Sequence, residues 1–116
     1  MGKFSREKGK RGEREWAEFL RDRGFVSRRG VQFHGGLDSP DVITRDLGRV
    51  HWEVKRVEGL SLYMALDQAR GDAGDKIPVI AHRRNGKPWV VILDADLFIT
   101  TFLPYLRDLN GQEATS

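Results

Sequence analysis

The chain has 116 residues, of which 39% are hydrophobic and 32% charged, with a net charge of +3 and no cysteine. That size and balance suit one small domain, 1–116, with a modest core and much solvated surface. The cysteine count excludes a disulfide framework and thiolate metal sites, no apolar run is long enough to span a bilayer, and a cytoplasmic location is expected.

The charge is uneven. Residues 1–30 carry ten Lys/Arg against five Asp/Glu, a net +5, which leaves −2 for the rest. A basic N-terminal third points to a polyanion partner, most commonly nucleic acid. Residues 5–23 read as a helix, with Ser5 as N-cap and Gly24 as its stop. Trp16, Ala17, Phe19 and Leu20 form the apolar stripe. Glu13, three residues before Trp16 and seven before Leu20, shares it. A carboxylate on an inward face is costly unless paired with an arginine or bound to metal. Glu15 and Glu18 fall away from the stripe and read as surface charges. Gly9 and Gly12 leave room for the close approach of another backbone.

Residues 25–33 read as a strand, followed by a loop at 34–39 that contains Gly35-Gly36. Segments 41–45 and 49–57 are hairpin strands joined at Asp46-Leu47-Gly48. A helix over 61–73 is capped by Ser61 and ends near Gly74. Strands at 76–82 and 88–93 are joined by Arg84-Asn85-Gly86-Lys87, where Asn-Gly is a strong hairpin signal. Asp94 caps a last helix, and the ends, 1–4 and 110–116, are expected to fray. The order is helix, three strands, helix, two strands, helix. It predicts an α/β (α+β) fold with a single mixed central sheet of about five strands flanked by helices.

The hairpin carries the chemistry. With Gly48 in the left-handed position, residues whose numbers sum to 94 face each other, and Asp41 opposes Glu53. Directly opposed residues have Cβ atoms roughly 4.5–5.5 Å apart. Lys55 points to the same side as Glu53, with His51, while Val50, Trp52 and Val54 take the other face. Like charges directly opposite destabilise a sheet, so a solvated polar face leaves the pair unexplained. A divalent cation between the two removes the repulsion. Carboxylate oxygens suit Mg²⁺ or Mn²⁺. Lys8, Lys10, Arg11, Arg14, Arg28, Arg29 and Arg56 are available to hold phosphates nearby.

Lys8-Gly9-Lys10-Arg11-Gly12-Glu13-Arg14-Glu15, Pro40-Asp41 and Glu53-Val54-Lys55 together resemble the three motifs of the PD-(D/E)XK nucleases. More narrowly, they resemble the archaeal-type Holliday junction resolvases and their phage-encoded relatives. The resemblance is clearest over residues 5–60. It implies the restriction-endonuclease-like fold and a homodimer that cuts four-way DNA junctions. It implies that Glu13, Asp41, Glu53 and the carbonyl of Val54 bind metal, and that Lys55 orients the attacking water or meets developing phosphate charge. Related nucleases often place a glutamine such as Gln68 on the second helix, where the alternative is a helix Gln bonded to backbone. Ser39 and Asp38 read more simply as turn residues, His51 more simply as a bystander than as a phosphate contact, and Trp89 and Phe102 as core or interface. Segment 97–106 is a candidate dimer contact. A nuclease for ends, flaps or other branched DNA is the alternative. A non-catalytic nucleic-acid-binding module leaves the opposed acids without a purpose.

Overall fold

The computed structural model describes residues 3–30 and 40–115. Five strands form one mixed sheet, in spatial order β1 (Ser27–Arg29), β2 (Val42–Thr44), β3 (Val50–Lys55), β4 (Ile77–His82) and β5 (Val90–Ile92). All neighbours are antiparallel except β3 and β4, which run parallel. Parallel strands need a crossover, and α2 (Leu62–Ala73) supplies it. The far half of the strand expected at 25–33, the Gly35-Gly36 loop, Asp38 and Ser39 lie outside the described residues.

Helix α1 (Lys3–Arg21) covers one face of the sheet. It starts earlier than expected, so Ser5 lies inside it rather than capping it. The surrounding Lys, Arg and Glu residues are strong helix formers and nothing stops the helix at Ser5. Gly24, at φ +94°, takes the left-handed turn at its end. Trp16, Ala17 and Leu20 pack on Val42, Trp52, Val79 and Ala81, with Phe19 and Trp89 against them. The Trp16 ring stacks on Phe19 at 5.3 Å, meets Trp52 edge-on at 5.1 Å and lies 4.9 Å from Trp89. Aromatic pairs of this kind contribute about 0.5–1.5 kcal/mol each beyond the area they bury. Within this layer the Ser27 and Thr44 hydroxyls bond to each other at 2.9 Å, and Trp52 Nε1 donates to Thr44 at 3.1 Å.

On the other face, Ala65, Leu66 and Ala69 of α2 pack on Ile80. Small residues at 65 and 69 bring this helix close to the strands. Ser61 occupies the N-cap position, but its side chain makes no capping hydrogen bond. The face of His51 and Glu53 is therefore covered by a helix and is not solvated: His51 is fully buried and Glu53 is 5% exposed.

The β2–β3 connection differs in detail from the expected loop. Asp46, not Gly48, takes the left-handed backbone, at φ +71°. Asp is among the few side-chain-bearing residues that tolerate this region. Leu47 N–H donates to Thr44 and Val50 N–H to Leu47, giving two successive turns that share Leu47. The register still centres on Leu47, and Val42 pairs with Trp52 as expected.

Asp94 caps the last helical segment, accepting from the Asp96 N–H at 2.9 Å. Helix α3 (Ala95–Leu97) continues through a π-helical turn (Phe98–Phe102) into α4 (Leu103–Thr115). Residues from Asn110 onward, expected to fray, form the last turns of α4 up to Thr115. The molecule measures 57 × 28 × 27 Å.

Candidate active site

The site forms where β2 begins. Asp41 N–H donates to Trp52 O at 2.9 Å, just outside the Val42–Trp52 pair, and the Asp41 carboxyl lies close to that of Glu53. There the described ladder ends. The next N–H of β3, that of Val54, takes the Asp41 carboxylate instead, at 2.8 Å to Oδ2. Gly30 pins the same step from the other side. Its N–H donates to Asp41 O at 2.8 Å, and a Cβ at residue 30 would fall 2.0 Å from Pro40 O.

Burial, the neighbouring Glu53 carboxylate and then Glu13 push Asp41 up to about 7, against the opposing pull of the Val54 N–H and Lys55. Burial disfavours the charged form first, and the neighbouring carboxylates add to it. Glu13 reaches the site from α1 and is held by Arg29, with Nε to Oε1 at 3.0 Å. The sequence left open whether an arginine or a metal satisfies this inward carboxylate, and in the structure Arg29 does so. Lys55 Nζ donates to Gln68 Oε1 at 3.2 Å, which ties β3 to α2 although Gln68 itself is exposed.

Asp72 was not singled out by the sequence reading. It lies one turn after Gln68 on α2 and hydrogen-bonds Glu53; burial and then Glu53 raise its pKa. The i, i+4 spacing from Gln68 was its only sequence signal. His51 Nε2 lies 3.5 Å from Glu53 Oε1, and neither ring nitrogen has a hydrogen-bond partner. A fully buried ring cannot meet a phosphate, which leaves His51 the bystander that the sequence favours.

Among the described residues, no three Asp, Glu, His or Cys side chains form a group that could hold a metal ion. Glu13 is turned to Arg29. The Asp41–Glu53 pair nevertheless has the right chemistry, since Mg²⁺ is commonly held by one or two carboxylates plus water and substrate phosphate. The hard oxygens and the upward shift of Asp41 both suit a cation.

The basic residues fall into separate groups. Lys8, Arg11 and Arg56 line one cleft with Gly12, Glu15 and Asn85. Gly12 allows this approach of α1 to β3, since a Cβ there would meet Arg56 Cβ at 2.6 Å; Gly9 faces open space. Glu15, read as a surface charge, is half-buried and accepts from Arg56 Nε at 3.3 Å and Arg83 Nη1 at 2.5 Å. Arg29 sits with Glu13. Lys10, paired with Glu7 at 3.8 Å, and Arg14 and Arg28 are exposed outside that cleft. No helix among the described residues is long and apolar enough to cross a membrane.

No curated protein and no solved structure matches the chain. The five-stranded mixed sheet with its flanking helices is in accord with the family comparison. The model of the archaeal Holliday junction resolvase (Hjc) family matches residues 4–101, and the chain belongs to that family.

Proposed function

We propose that the protein hydrolyses phosphodiester bonds in four-way DNA junctions with Mg²⁺ or Mn²⁺, acting as a homodimer. The observation that carries this reading is the crowding of the Asp41 and Glu53 carboxyls near Lys55, in a member of a resolvase family. Asp41 and Glu53 would hold the cation, with the carbonyl of Val54 as a further ligand and Glu13 as another once Arg29 leaves it for the DNA phosphate. A bound divalent ion neutralises phosphate charge and lowers the pKa of water. Lys55, steadied by Gln68, presents its ammonium to the charge that develops on the scissile phosphate. Asp72 backs Glu53 from α2 and fixes which way its carboxylate turns. Lys8, Lys10, Arg11, Arg14, Arg28, Arg29 and Arg56 hold the DNA backbone, so binding weakens steeply with salt. Two symmetric cuts require two such sites related by a two-fold axis. A DNA-acting resolvase fits a cytoplasmic location.

The test is cleavage of a synthetic four-way junction and of linear duplex of the same sequence, with Mg²⁺ and with a chelator. The expected result is cutting of the junction alone, abolished by the chelator. Equal cutting of both substrates would make the protein a general nuclease. Cutting that survives the chelator would remove the cation from the reading.

A further inference from the structure

His51 and Glu53, two apart on β3, point to the same side of the sheet, under α2. With Ile80 and Val42, His51 is among the largest side chains that are fully buried. Among the described residues, the buried side-chain polar atoms without a hydrogen-bond partner are Trp16 Nε1 and both ring nitrogens of His51. Orphaned nitrogens in a core cost stability, and an apolar side chain of similar volume would avoid that cost. The buried residues of the covering helix, Ala65, Leu66, Ala69 and Ala73, offer the ring no polar side-chain atom. The acidic groups near it are Glu53, whose Oε1 lies 3.5 Å from His51 Nε2, and Asp72, whose burial-raised pKa the ring opposes. Polar groups kept in a core at a cost to stability mark functional sites. Toward phosphate His51 is a bystander; toward Glu53 it is not.

The 3.5 Å separation lies just beyond the usual N–H···O range of about 2.7–3.2 Å. A small rotation of the Glu53 carboxylate closes it. Hydrogen bonds in active sites are often long before ligands arrive and tighten on binding. Imidazole carries at least one N–H in every state it adopts, so the contact needs no change of protonation. Asp72 hydrogen-bonds the same carboxylate from α2. Held by a strand neighbour and a helix neighbour, Glu53 has little freedom to turn. Loss of such support for a carboxylate ligand costs about ten- to a hundredfold in metal affinity.

We propose that His51 is a positioning residue of the candidate active site: its Nε2–H fixes Glu53 Oε1 and leaves the other carboxylate oxygen free to meet a cation. The assignment rests on the cation reading above and adds the residue that orients one of its ligands. The test compares His51→Leu, which fills the space without a donor, with His51→Gln, whose amide keeps one. In the presence of a chelator, His51→Leu is expected to melt at least about 3 °C above the wild type, because the orphaned nitrogens are gone. In calorimetric titration with Mn²⁺ it is expected to bind at least about tenfold more weakly, and in junction cleavage to lose kcat rather than KM. His51→Gln is expected to recover most of the lost affinity. A melting temperature of His51→Leu below the wild type would make the ring ordinary core packing and overturn the proposal. Undiminished Mn²⁺ affinity in His51→Leu, or no recovery in His51→Gln, would overturn it too. Ring-nitrogen NMR of the wild type requires no variant to fold: a proton on Nε2 whose resonance moves when Mg²⁺ is added is expected, and a bare Nε2 overturns the proposal. A wild type that binds no Mn²⁺ would overturn the cation reading and the proposal with it, whereas equal binding by wild type and His51→Leu overturns the proposal alone.

Discussion

Asp41→Asn is expected to melt at a higher temperature than the wild type at pH 8 in the presence of a chelator, and to cut junctions at least about a hundredfold more slowly. Asparagine keeps an oxygen to accept from Val54 N–H but removes a charge that burial, Glu53 and Glu13 all oppose. The carboxyl of Asp41 lies at about 7 in the folded protein against 3.8 for the unperturbed group. The folded state therefore keeps a proton that the unfolded state has released. Stability contributed by this site is intact below pH 4, falls as pH rises from 4 to 7, and is constant above. The penalty above pH 7 is on the order of a few kcal/mol. Relieving it should raise the melting temperature by at least about 4 °C. The gap between variant and wild type should be absent at pH 4. An unchanged or lower melting temperature at pH 8 would mean that the two carboxylates do not repel as described.

Gly30→Ala is expected to cost about 3 kcal/mol of stability and to lower cleavage about a hundredfold. The new Cβ would sit 2.0 Å from Pro40 O, a backbone atom that cannot swing aside. Relief requires movement of the Pro40-Asp41 step, which Gly30 N–H also holds. Displacing Asp41 by about an ångström is enough for a loss of that size. Gly9→Ala is the control. Nothing lies within 4 Å of a Cβ there, and in a helix the change should be neutral or stabilising by up to about 1 kcal/mol. Urea unfolding and single-turnover cleavage of both variants check this. Equal behaviour of the two would place Asp41 outside the control of Gly30.

Much of this arrangement is legible in the residues themselves, because local chemistry sets it. The turn centred on Leu47 pairs Val42 with Trp52 whichever residue is left-handed, since the register depends on the symmetry of the connection, and this brings Asp41 near Glu53. The stripe of Trp16, Ala17 and Leu20 identifies the inward face of α1, and with it Glu13. What the sequence hides depends on tertiary approach. Glu15 lies off the stripe, yet Arg56 and Arg83 arrive from the ends of β3 and β4 to pair with it. Asp72 lies on a helix whose rotation about its axis is set by Ala65 and Ala69, and only the packed helix brings it to Glu53. His51 alternates correctly with Trp52, but alternation cannot tell a solvated face from one that α2 covers. The start of α1 is not legible at Ser5 because a cap signal there competes with strong helix propensity on both sides of it.

The central claim is that Asp41 and Glu53 bind a divalent cation together. Calorimetric titration of chelator-treated protein with Mn²⁺ at pH 7.5, without DNA, tests it most directly. The wild type is expected to bind, Asp41→Asn and Glu53→Gln each to lose at least about tenfold in affinity, and Lys55→Met to retain it. Equal Mn²⁺ affinity in the wild type and both carboxylate variants would contradict the claim.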